Sequence, residues 1–189
     1  MLKSGSNHWG SVAKFFHWTI VVLILTQAYV GLTMVGLPRS PAAIPWYTFH
    51  KSVGLTVFAL AVLRLAWRAF DPRPQEPSGM SKLQGFAARA GHALLYALIF
   101  AVTLSGWRFD SVSALRPLRW FGLFEVPHLG AAGDAVMKDS WREYHYWLFY
   151  ALALVALGHA AMALIHQFSH RNNVLGRMWP NWLQGKPKP

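Results

Sequence analysis

The chain has 189 residues, of which 54% are hydrophobic, 15% aromatic and only 13% charged. So few charged side chains exclude an ordinary soluble domain and favour an integral membrane protein of one domain. The formal net charge is +11, but the basic residues flank apolar runs instead of interleaving with aromatic ones, so no nucleic-acid partner is expected. The absence of cysteine excludes disulfides, thiolate metal sites and covalent attachment of a c-type haem.

Four apolar segments follow one another along the chain. Each approaches or exceeds the roughly 18 to 20 residues that a helix needs to cross about 30 Å of hydrocarbon. The sequence therefore predicts an all-α, integral membrane four-helix bundle that forms a single transmembrane domain over residues 1–189, with the lipid bilayer as its surroundings. The predicted spans are residues 13–37, 44–69, 84–108 and 143–169, and the longest connection is residues 109–142.

Lysine and arginine are distributed unevenly between the two sides of this bundle. The side with both termini and the second connection carries eleven basic residues, and the opposite side carries seven. By the positive-inside rule, both termini should lie in the cytoplasm and residues 109–142 should lie outside. The chain is therefore predicted to cross its membrane four times; that this is a bacterial inner membrane is implied only by the resemblance described below.

Two histidines of the fourth span, His145 and His159, lie fourteen residues apart in a stretch without a charged side chain. On a helix, fourteen residues return to within roughly 40° of the same face and advance about 21 Å. A metal binds a histidine nitrogen at only about 2 Å, so one ion cannot bind both. The two histidines should therefore serve two separate centres, or none.

Two further histidines lie at matching depths. His50 begins the second span on the outer side, like His145, and His17 begins the first span on the cytoplasmic side, near the depth of His159. This predicts the pairs His50/His145 and His17/His159. A haem iron takes two axial nitrogens, which facing helices of a bundle can supply. Hydrogen bonds between helices remain the alternative for any single histidine.

His92 complicates the cytoplasmic pair. It enters the third span at a depth comparable with that of His159, so it is an alternative ligand opposite His17. A hydrogen bond to a haem propionate or to a neighbouring helix is the favoured explanation of His92. The choice of His159 has the merit that the spacing within the fourth span then accounts for both sites.

Several motifs carry a resemblance to a known family: KFFHW at 14–18, WYTFHKSVG at 46–54, VLRLAWR at 62–68, GHALLY at 91–96, WREYHYW at 141–147 and LGHAAMALIH at 157–166. From about residue 10 to residue 180 the chain resembles the prokaryotic cytochrome b561 family. The resemblance implies a four-helix membrane protein with two noncovalent haems b. The family's axial ligands, one from each of spans one and two and two from span four, would be His17, His50, His145 and His159.

Histidine order and spacing are similar to the branch that includes the superoxide oxidase. That likeness implies an enzyme, a superoxide:ubiquinone oxidoreductase, which oxidises superoxide at the periplasmic side and passes the electron through two haems to ubiquinone. One alternative is a non-catalytic cytochrome b subunit that connects the quinone pool with a periplasmic redox protein docked on residues 109–142. Another is a haem-free, histidine-lined metal or proton carrier.

Further residues are candidates for specific roles in this scheme. Outer basic side chains could attract the superoxide anion. Seven basic and five acidic outer residues leave only a small positive net charge, so a local attractive field would depend on how these residues are arranged. These candidates are Lys51, Arg108, Arg116, Arg119 and Arg142. At the cytoplasmic side Arg64 and Arg68 are candidates for pairing with haem propionates, or simply follow the positive-inside rule. His166 and Trp18 are candidates for contact with the quinone, and His166 could instead reach the membrane surface.

Overall fold

The computed structural model of the chain describes residues 1–38, 40–76, 79–113, 116–168 and 174–179. Within these residues, four helices are long and apolar enough to cross a membrane, which confirms the prediction of a membrane four-helix bundle. They are α1 (Ser11–Val35), α2 (Ile44–Phe70), α3 (Lys82–Ser113) and α4 (Ala135–Phe168). A 3₁₀ turn (Pro41–Ala43) precedes α2, the strands β1 (Arg119–Trp120) and β2 (Phe124–Glu125) lie between α3 and α4, and a short helix α5 (Val174–Met178) follows α4.

The helices are built for an apolar solvent. Hydroxyl groups inside them donate to backbone carbonyls one turn earlier, as Thr26 does to Val22 at 2.9 Å and Thr33 to Tyr29 at 2.8 Å. Such bonds satisfy polar groups that have no water nearby in hydrocarbon. Large apolar side chains such as Leu154 face outwards from the bundle, as expected where lipid is the neighbour.

The helices pack as two pairs with an open seam. The backbone of α1 runs close to that of α2, and that of α3 to that of α4, while α2 and α3 join the pairs. A small core where these pairs meet contains Ile20, Val57, Ala61, Ile99 and Leu152. The backbone of α4 hardly approaches those of α1 and α2, so the space between them is left to side chains.

The bundle has two distinct ends. At one, which we call the terminal end, residues 1–10, residues 71–76 and α5 come together: the Gln75 N–H donates to the Ser6 carbonyl at 2.8 Å, and the Arg177 side chain donates to the Asn7 and Gln75 carbonyls. At the opposite end, the loop end, β1 and β2 lie against the first turns of α2, where the rings of Phe49 and Phe121 meet edge-on at 6.3 Å. Both described chain ends therefore lie on the same side of the bundle, and the side of the membrane that each end faces stays a prediction.

The connection between the third and fourth helices is shorter than expected. Residues 109–142 were predicted to be a connection, but α3 continues to Ser113 and α4 already begins at Ala135. A helix can continue beyond the point where its residues leave the hydrocarbon layer. At the start of α4, the Asp134 carboxylate accepts a hydrogen bond from the Met137 N–H at 2.8 Å, and this capping bond favours a helix that begins early. Residue 169 of the predicted fourth span, and four of the basic residues counted for topology, lie outside the described residues: Arg39, Arg171, Lys186 and Lys188.

Candidate functional site

The structure brings His50 of α2 and His145 of α4 together at the loop end. Their ring centroids are 6.1 Å apart and their planes are perpendicular. Nδ1 of His145 lies 2.9 Å from the Val102 carbonyl and 3.2 Å from the Ser105 hydroxyl. Since the carbonyl can only accept, the Nδ1 proton points to it and Nε2 keeps a lone pair for a metal.

Each of these two rings lies against a glycine of a neighbouring helix. A Cβ at Gly31 of α1 would lie 3.2 Å from Cε1 of His50, and a Cβ at Gly106 of α3 would lie 2.8 Å from Cε1 of His145. Because Gly31 and Gly106 have no side chain, they leave the space that the two histidine rings occupy. Sequence reasoning missed both, and the available signal was only that they lie at about the depth of His50 and His145.

A second pair lies at the terminal end, where His17 of α1 faces His159 of α4. Their ring centroids are 6.4 Å apart, with an interplanar angle of 72°. His92 of α3 is nearer to His159, at 5.1 Å between centroids, and its Nδ1 lies 2.7 Å from the Ala88 carbonyl one turn earlier on its own helix. Three histidines therefore lie together at this level.

The distances discriminate between the possible ligand pairs. Two imidazoles on opposite faces of one iron each place a nitrogen at about 2 Å, with the ring centre about 1.1 Å further out, so their centroids should be about 6 Å apart. The separations of His50/His145 and His17/His159, 6.1 and 6.4 Å, fit this value. The 5.1 Å between His92 and His159 is about an ångström too short for that arrangement, so these two would not share one iron; His92 opposite His17 stays the alternative pair.

The donor set also fits a haem better than a bare ion. Among the described residues, no group of three or more His, Cys, Asp or Glu side chains could hold a metal ion. A protein site for a metal ion alone commonly supplies three or four ligands. A facing pair of imidazoles, which each level contains, is what an iron needs when a porphyrin supplies the other four nitrogens.

Arg64 and Arg68, predicted to meet propionates, lie at the terminal end and face aromatic rings. The Arg64 guanidinium carbon is 5.7 Å from the centre of the Tyr96 ring, and that of Arg68 is 5.4 Å from the centre of the Trp9 ring. Arg64 also interacts electrostatically with His17. Its cation is therefore near the terminal-end pair, while the cation of Arg68 is directed to the N-terminal segment.

Of the two quinone candidates, Trp18 contacts the end of α5. The Trp18 indole N–H donates to the Met178 carbonyl at 2.9 Å, and its ring meets that of Trp179 edge-on at 5.9 Å. His166, which could have reached the membrane surface, is buried. Trp18 is thus a polar anchor for the end of α5 as well as an apolar wall beside His17.

Two of the predicted anion-steering residues have acidic partners. Lys51 forms an ion pair with Asp110, whose carboxylate is buried. The Arg142 guanidinium lies 3.4 Å from the Asp139 carboxylate and 3.9 Å from that of Glu143. The positive charge of both steering candidates is therefore largely compensated.

The remaining steering candidates differ in their surroundings. One guanidinium nitrogen of Arg108 donates to the Leu129 and Ala131 carbonyls, both at 2.8 Å, so Arg108 fastens the connection to α3. Arg116 and Arg119 are exposed, and neither forms an ion pair with another described residue. Arg116 lines an open cavity of about 520 Å³ together with residues 117, 118 and 125–128.

The β1–β2 hairpin lies across α2 close to His50. Ser52 is fully buried, and its hydroxyl accepts from the Phe121 N–H at 2.9 Å; the Trp120 indole donates to the Thr56 hydroxyl at 3.0 Å. The turn uses positive φ angles at Phe121, 46°, and at Gly122, 77°. A bulky residue adopts this conformation only where its surroundings hold it. The hairpin is therefore fixed to α2 as a cover at the loop end.

Comparisons with known proteins give matches over nearly the whole chain. The family model of the prokaryotic cytochrome b561 matches residues 8–181. The chain is 32% identical to cytochrome b561 homolog 2 of Escherichia coli (strain K12) over 176 residues, 91% of each protein. It is 29% identical to the probable superoxide oxidase CybB of Yersinia pestis over 87% of this chain and 91% of the relative. Cytochrome b562 of Cereibacter sphaeroides is 30% identical, over 86% of this chain and 89% of that protein.

Proposed function

The chain belongs to the prokaryotic cytochrome b561 family, whose members are membrane cytochromes that bind haem b, and from this premise we propose a specific electron path. The two histidine pairs would hold two noncovalent haems, through which electrons would pass from the loop end to the terminal end. Superoxide is oxidised at the loop end and ubiquinone is reduced at the terminal end. The observation that supports this path best is the spacing of two histidine pairs at two levels, 6.1 and 6.4 Å between ring centroids.

His50 and His145 would hold one haem, and His17 and His159 the other. When bound, a haem b supplies a centre that gains and loses one electron. The chain's own residues orient the ligands: the Val102 carbonyl fixes the tautomer of His145. Both histidine pairs meet across the seam between α4 and the α1/α2 pair, where the helix backbones hardly approach one another.

The proposed reaction balances simply. Each superoxide loses one electron and leaves as dioxygen, and two such electrons together with two protons convert ubiquinone to ubiquinol. Superoxide needs no acid or base, so the loop end has to supply access and positive potential; Arg116 and Arg119 are exposed there. The quinone needs protons, and His166 with its buried imidazole is the residue proposed to deliver them beside Trp18.

The orientation proposed in the membrane follows from charge. The terminal end carries the larger number of basic residues, so it should face the cytoplasm, and the loop end should face the periplasm. Superoxide would then be oxidised outside the inner membrane. Tagging each end with a reporter that works in only one compartment tests this, and a periplasmic signal from residue 1 would contradict it.

Haem content tests the two-centre proposal directly. The purified chain should show two b-type components per polypeptide in a reduced-minus-oxidised spectrum. His145→Ala should lose the loop-end component and His159→Ala the terminal-end component, whereas His128→Ala, an exposed histidine of the loop end, should keep both. About one haem per wild-type chain, or none, would refute the proposal; none would favour the haem-free carrier.

Activity tests the substrates. The purified chain, supplied with a superoxide source and a soluble ubiquinone, should form ubiquinol faster than a sample in which both His145 and His159 are replaced by alanine. His166→Ala should slow this reaction while leaving both haem spectra intact. Loss of a haem in His166→Ala would show that the residue supports the cofactor and would overturn its assignment to the quinone.

A second function is favoured by one observation at the loop end. The tip of the hairpin exposes apolar side chains, with Leu123 73% and Phe124 56% accessible. A periplasmic redox protein could dock on such a surface, in which case the chain would be a non-catalytic cytochrome b subunit. Failure of superoxide to reduce quinone through a chain that holds two haems, together with reduction by a soluble redox protein, would establish this alternative.

A further inference from the structure

An ion pair with a buried member lies next to the loop-end histidines. The Asp110 side chain on α3 is only 8% exposed and pairs with Lys51 of α2, which is 39% exposed. The second oxygen of the Asp110 carboxylate, Oδ2, is buried without a hydrogen-bond partner among the described residues. In the other ion pairs between described residues both members are more than half exposed. A carboxylate held in this way is costly, and a stabilising role alone is weak grounds for it.

The two members of the pair lie on helices that form the loop-end site, α2 and α3. Lys51 follows His50 directly on α2. Asp110 lies four residues after Gly106, which is about 6 Å along α3 and on the same side of the helix, and Gly106 is the glycine against which the His145 ring rests. Lys51 is therefore next to the proposed ligand His50 in the sequence. Asp110 lies about one helical turn beyond Gly106, the glycine that supports His145.

We propose that Asp110 is a positioning residue that lowers the reduction potential of the loop-end haem by cancelling the charge of Lys51. The proposal rests on the proposed function, because it requires a haem between His50 and His145. The step concerned moves one electron from the donor to the iron and neither breaks a bond nor moves a proton. Without Asp110, the positive charge of Lys51 would favour the reduced form of the haem and raise its reduction potential. The negative charge of Asp110 would cancel this effect.

The consequence concerns the direction of electron flow. The terminal end has Arg64 near its histidine pair, with no acidic partner among the described residues, whereas the cation beside His50 is neutralised. The compensated pair therefore holds the loop-end haem at a lower potential than it would have beside Lys51 alone. A lower potential where electrons arrive, and a higher one where they leave, favours passage from the loop end to the terminal end.

A purely structural role for the pair, joining α2 to α3, must be separated from this one. Asp110→Asn keeps the shape and an oxygen that can accept from Lys51, but removes the negative charge. In a redox titration of the full haem-loaded chain, it should raise the midpoint potential of the loop-end component and leave that of the terminal-end component unchanged. The double variant Asp110→Asn with Lys51→Gln should return the loop-end potential to near the wild-type value.

Asp139→Asn is the matched control. It removes an acid at the same end of the bundle, from an exposed ion pair with Arg142, and should leave both potentials unchanged. An unchanged or lowered loop-end potential in Asp110→Asn, or a double variant that does not return, overturns the proposal. If Asp110→Asn does not retain two haems, Lys51→Gln alone decides: the loop-end potential should fall, and its failure to fall overturns the proposal.

These outcomes are distinct from failure of the proposed function. If the wild-type chain does not hold two haems, the two-centre path is wrong. If it holds two and the potentials ignore the charge of Asp110, only the role of Asp110 is wrong.

Discussion

Replacing Gly106 by alanine tests the geometry of the loop-end site most sharply. The new Cβ would lie 2.8 Å from Cε1 and 3.1 Å from Nδ1 of His145, whereas carbon atoms in contact are normally about 3.5 to 4.0 Å apart. The imidazole must therefore move by about 0.7 Å or more. It cannot do so freely, because Nδ1 is also bound to the Val102 carbonyl at 2.9 Å. In the haem-loaded chain, Nε2 would be held as well.

Two opposing effects set the magnitude. Inserting a methyl group into a close-packed site costs about 1 to 3 kcal/mol, while alanine in place of glycine inside a helix stabilises that helix by up to about 1 kcal/mol. The helix gain is present with or without the cofactor, but the clash matters most when His145 is fixed on iron. Haem affinity at the loop end should therefore fall about 5- to 150-fold, while the haem-free chain is as stable as the wild type or slightly more so.

The assay is a haem titration of the purified chain, followed in the visible spectrum, with thermal unfolding of the haem-free chain measured in parallel. The terminal-end haem is an internal control, since its ligand His159 is about 21 Å along α4. Gly31→Ala gives a graded comparison, because its Cβ would lie 3.2 Å from Cε1 of His50 and the ring has less far to move. Unchanged loop-end affinity in Gly106→Ala, or a larger effect on the terminal-end haem, would refute the reasoning.

Three further results are expected. His92→Ala should keep both haems in the reduced-minus-oxidised spectrum, because the 6.4 Å between His17 and His159 suits two ligands of one iron without His92; loss of the terminal-end haem would make His92 the ligand opposite His17. Arg119→Gln should lower the superoxide reaction rate at low salt by a few-fold, and Arg142→Gln less, since Arg142 has acidic neighbours; equal effects would count against local steering. Arg177→Ala should speed proteolysis of the N-terminal segment, because Arg177 bonds to the Asn7 and Gln75 carbonyls, and an unchanged cleavage rate in a limited digest would show that these bonds do not hold the segment.

The fold and the family could be predicted from the sequence because the membrane makes strong demands. Crossing hydrocarbon requires long apolar helices, and four such helices are present in the described chain. The family resemblance drawn from the motifs is confirmed by the match over residues 8–181. The helix ends were less predictable: apolarity marks where a helix can meet lipid, and α3 and α4 simply continue beyond that region to Ser113 and from Ala135.

Contacts between helices could be predicted from the sequence only where they follow from the depth of the residues in the membrane. The pairs His50/His145 and His17/His159 follow from their levels in the membrane, and the structure brings each pair together. The neighbour of a glycine depends instead on how each helix is rotated about its axis, so the contact between Gly106 and His145 has no local signal. These pairs remain predicted ligands until haem content is measured in their variants.

The arrangement of charge at the loop end narrows where a small anion could arrive. Counting charges treats Lys51 and Arg119 alike, but Lys51 is matched by a buried carboxylate, while Arg119 stands on the exposed face of β1. The same hairpin is fixed to α2 through Ser52, two residues after His50. The hairpin therefore both presents the positive charge of Arg119 and contacts α2 near His50. A superoxide anion attracted to the hairpin would already be close to this proposed ligand. The Lys51/Asp110 pair adds little to this attraction, because its two charges cancel each other.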